Sequence, residues 1–153
     1  MNSRSKPSRV SASLEHQIFV ALLQTADSLG QEAEQLLKVT GLTGAQYNVL
    51  RILRGAEPEG LACRAIGDRM ISHDPDMTRL LDRMEKRGLI TRERQTDDRR
   101  VVKTRITAQG LSLLKTLDPP VHDLHKRQFR HMSAARLKTL SDLLEEVRVR
   151  KPA

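Results

Sequence analysis

The chain has 153 residues, within the range of one domain, and its 27 Lys and Arg against 19 Asp and Glu give a formal charge of +8 and an isoelectric point near 10.2. That balance favours an anionic partner, nucleic acid or a membrane surface, and charge alone does not choose between them. No apolar run approaches the roughly 20 residues of a membrane span, and the opening MNSRSKPSRV lacks the apolar core of a secretory signal, so no membrane partner is expected and the expected location is cytoplasmic.

Residues 1–12 carry Arg4, Lys6 and Arg9 with no acid and few apolar side chains, and read as a flexible basic N-terminal arm. From Ser13 onward Leu14, Ile18, Leu22, Ala26 and Leu29 recur at helical steps, and Leu36 and Leu37 continue the pattern past Gly30. One long amphipathic helix is expected there, irregular at Gly30. Thr43 followed by Gln46 has the capping-box spacing and opens a second helix through Val49, Leu50 and Leu53. Gly55, Pro58 and Gly60 break the pattern before a third, short helix with Ala62, Ile66 and Met70 on one face. After a turn at Ser72 and His73, Asp74 is the expected N-cap of a fourth helix, Pro75 takes its first position, and Gly88 stops it.

The period then changes. Leu89 to Arg94 and Val101 to Thr107 read as two strands of a β-hairpin around the polar tip QTDDRR, with Val102, Thr104 and Ile106 on one face. Thr107 caps a fifth helix through Leu111, Leu114 and Leu117, which Pro119 and Pro120 are expected to end, with Val121, Leu124 and Phe129 on a continuation beyond the break. Ser133 caps the last helix, whose Leu137, Leu140, Leu144 and Val147 share a side; Arg136 at its third position cannot complete a capping box. The expected fold is mainly α with one small β-hairpin.

On the fourth helix Met77, Leu80, Leu81 and Met84 form a stripe that must face a core, which leaves Asp76, Thr78, Arg79, Asp82 and Arg83 around the other sides. An α-helix fits the major groove of B-DNA, where arginine bonds bidentately to guanine and threonine meets a thymine methyl. Arg79 and Arg83 point the same way. From Arg83 to Arg105 nine Lys or Arg face four acids, so the hairpin that follows the helix is basic. An arginine at its tip, Arg99 or Arg100, suits a narrow minor groove, and Asp98 is read as the ion-pair partner that fixes the loop and places Arg100. The aromatics are Phe19, Tyr47 and Phe129, too few for a base-stacking platform, so the nucleic acid expected is double-stranded.

The run LLDRMEKRGLITRERQTDDRRVVKTRITAQG closely resembles the winged-helix core of MarR-type (multiple antibiotic resistance) regulators, with a D-x-R wing tip at Asp98 to Arg100 and an L/I-T-x-x-G run at Ile106 to Gly110. GLTGAQYNVLRIL, Gly41 to Leu53, matches the second helix of that family, so the resemblance covers about Gly41 to Gly110; the terminal helices agree in placement only. It implies one domain over 13–153, with a winged helix-turn-helix lobe at 41–110 and dimerisation helices at 13–38 and 111–149. It implies a homodimeric transcription regulator reading an inverted repeat, with Thr78, Arg79 and Arg83 as recognition-helix contacts and Arg100 as the wing arginine. It also implies a small aromatic or lipophilic effector between the dimer helices and the DNA-binding lobe.

Blander readings stand beside these. The polar face of the fourth helix reads equally as a solvated surface when taken alone, Asp76 and Asp82 as ion-pair partners or mild repellents, and Lys86 and Arg87 as phosphate contacts or solvated charges. The lone Cys63 excludes an internal disulfide; it reads as a small half-buried residue rather than a redox sensor. His122 and His125, with His131 farther on, lack a cysteine or carboxylate cluster of ligand spacing, so neither metal nor cofactor is expected. No nucleophile elbow, phosphate loop or HExxH occurs, and an enzyme ranks last. The alternative to a regulator is an architectural or protein-contacting winged helix with little DNA sequence preference.

Overall fold

A computed structural model describes residues 13–95 and 101–149. The basic arm at 1–12 and the hairpin tip with Asp98, Arg99 and Arg100 lie outside the described residues. Helix α1 spans Leu14–Lys38 and opens on Ser13, whose hydroxyl accepts from the His16 N–H at 3.3 Å. It runs unbroken through Gly30, so the expected irregularity is absent. A lone glycine costs about 1 kcal/mol, too little to break a helix of this length. Helix α2, Gly44–Arg54, carries the anticipated capping box: the Gln46 N–H donates to the Thr43 hydroxyl and the Thr43 N–H to Gln46 Oε1, each at 3.2 Å.

Strand β1 is Leu61–Ala62 and helix α3 is Cys63–Gly67, so the third helix is shorter than its apolar spacing predicts. Ile66 is buried, but Ala62 belongs to the strand and Met70 lies past the helix end. Helix α4, Met77–Lys86, begins later than expected, because Asp76 rather than Asp74 caps it. The Asp74 carboxylate instead accepts from the Asp76 N–H at 2.8 Å and holds the preceding turn. Asp-Pro-Asp offers two caps of equal chemistry, and Asp76 adds an ion pair to Arg79 that the longer spacing from Asp74 does not favour.

Strands β2, Ile90–Arg94, and β3, Val102–Ile106, pair antiparallel with Ile90 opposite Ile106 and Arg92 opposite Thr104. The hairpin is not alone: β1 pairs antiparallel with β3, Leu61 opposite Thr104, in a sheet of order β1-β3-β2. A two-residue strand shows no period in a sequence. Gly60 lets it dock, since its φ is +69° and a Cβ there would lie 2.5 Å from the Thr104 carbonyl oxygen.

Helix α5, Ala108–Phe129, contains both prolines and is continuous, which corrects the expected break. Pro119 and Pro120 remove the donors that would reach the Lys115 and Thr116 carbonyls, a local cost of about 3 kcal/mol or more for a proline inside a helix. All four residues are exposed, so water can satisfy those carbonyls, while Leu114, Leu117, Val121 and Leu124 are buried along one side across the pair. Packing outweighs the local defect. Helix α6, Ala134–Arg148, opens on the Ser133 hydroxyl, which accepts from the Arg136 N–H, and buries none of its residues.

The core lies where α2, α4, the sheet and the first half of α5 meet: Val49, Leu50, Leu53, Ile66, Leu80, Leu81, Met84, Leu89, Ile90 and Leu114 are fully buried. Helix α1 enters it at its C-terminal end, through the buried Leu37 with Leu36 packed beside it. Three polar contacts bind the helices around it. Glu34 of α1 accepts from the Gly44 N–H at the start of α2 at 2.7 Å, Gln128 of α5 donates to the Leu29 carbonyl at 3.2 Å, and Arg54 of α2 meets Asp118 of α5 through bonds of 2.7 and 3.2 Å. Among the described residues no helix is long and apolar enough to cross a membrane.

The Arg54 hydrogen bond holds the Asp118 carboxyl below its ordinary value of 3.8, against a smaller opposing push from burial. A carboxyl depressed by folding stabilises the fold above its unfolded pKa and loses that contribution as pH falls through its folded one. Both side chains are a third or more exposed, so solvent screening keeps the contribution under about 1 kcal/mol. Asp118→Asn is expected to lower the urea-unfolding free energy slightly at pH 7, with the difference from the parent chain closing as the pH is taken below 3.8.

Candidate nucleic-acid interface

Helix α4 has two faces of opposite character. Leu80, Leu81 and Met84 are buried, whereas Asp76, Thr78, Arg79, Arg83, Lys86 and Arg87 are exposed and Asp82 and Glu85 half-buried. Its entry is fixed at two points: Asp76 accepts from the Arg79 N–H at 3.2 Å, and Asn48 of α2 accepts from the Ile71 N–H at 2.8 Å, tying the α3–α4 turn to the lobe. Its exit is a Schellman turn. The Gly88 N–H donates to the Glu85 carbonyl at 2.8 Å and the Leu89 N–H to that of Met84 at 3.1 Å, with Gly88 at φ +71°. The chain therefore turns directly from α4 into β2.

Asp76 is thus the helix cap, and its carboxylate also lies 3.3 Å from Arg79 Nε. The Arg79 side chain stays 74% exposed, so this pair leaves most of the guanidinium open to a ligand. Arg83 is exposed, like Lys86 and Arg94, and none of the three has a hydrogen-bond or ion-pair partner among the described residues. Thr78 is exposed one turn before Asp82.

Three arginines that count toward the basic charge of the segment are engaged within the fold. Arg92 of β2 bonds Glu85 through its N–H at 3.1 Å, its Nε at 2.9 Å and its Nη2 at 2.7 Å, and Nη2 also bonds Asp82. The Glu85 hydrogen bonds raise the Arg92 pKa above its ordinary value, more than burial lowers it. Arg105 joins Glu93 across the sheet at 3.0 Å and donates to the Pro58 carbonyl at 3.0 Å. Arg87 turns back from the α4 C-terminus to the Gly41 and Thr40 carbonyls at 2.8 and 3.1 Å, which supplies donors to the end of α1. Arg87, expected as a phosphate contact or a solvated charge, is instead bound to these carbonyls, and no sequence signal points to Arg92. Asp82 and Glu85 share one side of a helix three residues apart, and only the short turn at Gly88 brings β2 back across that side.

Cys63 is half-buried at the start of α3, as a small packing residue would be. His122 and His125 are exposed on α5, His125 Nδ1 lies 3.1 Å from Gln128 Oε1, and among the described residues no group of three His, Cys, Asp or Glu is arranged to hold a metal. An open groove of about 560 Å³ separates α2 from α5, lined by Tyr47, Arg51, Arg54, Asp118, Pro119, Val121, His122 and His125, with Arg51 stacked 5.9 Å from the Tyr47 ring centre.

The sequence profile of the MarR family matches residues 42–102. A MarR transcription factor from Planctomyces limnophilus has a crystal structure 41% identical to this chain, with a TM-score of 0.69 over 88% of this chain and 98% of that one. The homoprotocatechuate degradative operon repressor of Escherichia coli is 26% identical over 84% of this chain and 86% of its own length. CouR from Rhodococcus jostii RHA1, solved bound to p-coumaroyl-CoA, is 25% identical with a TM-score of 0.76, covering 94% and 99% of the two chains.

The cap geometry sets a stability expectation. Asp76→Ala removes the acceptor for the Arg79 N–H and is expected to cost about 1 kcal/mol in urea unfolding, while Asp76→Asn, which retains an acceptor, costs less.

Proposed function

The chain belongs to the MarR family of transcription regulators, and from that membership we propose that it acts as a homodimeric, ligand-responsive repressor on an inverted-repeat operator, in the cytoplasm. The observation that carries this reading is the division of α4 into a buried apolar face and an outer face bearing Thr78, Arg79 and Arg83, next to a basic hairpin. In the proposal α4 enters the major groove, with Arg79 and Arg83 reading base edges and Thr78 meeting a thymine methyl or a phosphate. Asp76 acts by capping the helix and orienting Arg79. The hairpin follows the backbone toward the adjacent minor groove, where Arg99 and Arg100 make the wing contact and Asp98 supports them.

The dimer seam proposed is formed by the terminal helices. Leu14, Ile18, Phe19 and Leu23 of α1 and Leu143, Leu144 and Val147 of α6 are apolar and exposed in the single chain. Burying them across a two-fold axis would set the two recognition helices about one helical turn of DNA apart. In this division 13–38 and 111–149 dimerise and 41–110 bind DNA. The groove between α2 and α5 is the proposed effector site: it joins the DNA-binding lobe to a dimer helix, and CouR is a relative solved with an aromatic acyl ligand. The name of the Escherichia coli relative supports repression.

Selection from a random duplex pool, followed by fluorescence-anisotropy titration of the winner against a scrambled duplex at near-physiological salt, is expected to enrich an inverted repeat bound about a thousandfold more tightly than the scramble. Equal affinity for both would overturn the reading. On the winning duplex, Arg83→Ala is expected to cost about 1–3 kcal/mol and to relax preference at one position in each half-site.

A further inference from the structure

We propose that Arg92 is a positioning residue for DNA binding: it fixes the wing hairpin to the recognition helix, and its own charge is turned inward rather than offered to phosphate. The inference rests on the DNA-binding reading above. The side chain is 23% exposed, against 74% for Arg79, and its guanidinium bridges two carboxylates, Asp82 and Glu85, that face β2 from one side of α4. A fourth bond comes from the Arg92 N–H to Glu85 Oε1, so backbone and side chain of the strand both grip the helix.

The position in the strand explains why this grip matters. Leu89 and Ile90 at the base of β2 are buried in the core, whereas Thr91, Glu93 and Arg94 are exposed. Arg92 is therefore the last side chain of β2 bonded to the helix before the strand leaves the lobe. On the other edge of the hairpin, β1 holds β3 at Lys103 and Thr104, the latter being the residue opposite Arg92. The hairpin is gripped from both sides at the same level. Any rotation there is magnified with distance along the wing, so the angle between wing and α4 is set at Arg92.

Pairing has a second consequence at this surface. Asp82 adjoins Arg83, and an unpaired carboxylate beside a phosphate would repel it. Arg92 keeps Asp82 and Glu85 occupied. A lysine retains the positive charge but lacks the planar fork that spans two carboxylates at once.

The test is a salt series of anisotropy titrations of the full chain on its selected duplex, with urea unfolding run beside it. Arg92→Lys is expected to weaken binding about tenfold or more, while the slope of log affinity against log salt stays at the parent value. Arg83→Ala in the same series should lower that slope by about 0.9 if Arg83 also neutralises a phosphate. Parent-like affinity in Arg92→Lys would overturn the proposal, because charge alone would suffice; so would a slope lowered by one phosphate in Arg92→Met, because the side chain would then be a direct contact. Should Arg92→Lys fail to fold, Glu85→Gln serves instead. It is expected to bind several-fold more weakly at unchanged slope, whereas tighter binding would reveal an arginine freed to reach DNA and would overturn the idea. Failure of the parent chain to enrich any duplex would remove the DNA-binding reading itself, and the positioning role with it, which is a different result from a parent that binds and variants that bind as well.

Discussion

The rotation of α4 about its own axis is the constraint on which the outer, polar face of the lobe depends. Leu80, Leu81 and Met84 are buried to 2% exposure or less, and each side chain so removed from water stabilises the fold by about 1.5–3 kcal/mol. Turning the helix by one residue, about 100°, would expose part of that stripe and drive Arg83 or Asp82 toward the core, where an unpaired charge costs several kcal/mol more. No surface ion pair competes with that. The outward direction of Thr78, Arg79 and Arg83 is therefore a consequence of packing on the far side of the helix.

Around this fixed helix, much of the positive charge that marks the sequence as a nucleic-acid binder serves the protein itself. Arg87 caps the end of α1, Arg92 clamps β2 to α4, and Arg105 ties β3 to β2 and to the loop at Pro58. Arginine suits these tasks because its planar fork can meet several acceptors at once. What remains outward on α4 and β2, Arg79, Arg83, Lys86 and Arg94, is a smaller and more directional set than the net charge of the segment suggests. Steering toward DNA follows from total charge, but contact follows from the residues left unpaired.

The helices at the two ends stand outside this core. Helix α1 contributes Leu36, Leu37 and its cap contacts near the C-terminus, and α6 has no fully buried residue, Leu137 and Leu140 being half-buried. Leu14, Ile18, Phe19 and Leu23 of α1 and Leu143, Leu144 and Val147 of α6 remain exposed among the described residues. The polar links from Glu34 to α2 and from Arg87 to the end of α1 join α1 to the lobe that carries α4, and the pair of Arg54 with Asp118 joins α5 to it. A displacement of α1 or α5 thus has a physical route to α4.

Local chemistry was sufficient for much of this. Thr43, Thr107 and Ser133 each cap the helix they are expected to cap, because a side-chain acceptor three residues ahead of a free N–H is a short-range requirement. The amphipathic stripe of α4, its stop at Gly88 and the alternation of β2 and β3 were legible for the same reason. Where two local signals were equal, as in Asp74-Pro75-Asp76, or where one was strong, as at Pro119-Pro120, the tertiary structure decided: an ion pair favours Asp76, and burial of Leu117, Val121 and Leu124 carries α5 across its prolines. Strand β1 exists only because β3 is there to receive it, and Arg92 became a clamp only when the turn at Gly88 brought β2 over Asp82 and Glu85. Periodicity and capping are properties of neighbours in sequence and determined the elements; pairing between residues far apart depends on how those elements pack, and only the folded chain decided which charges face inward.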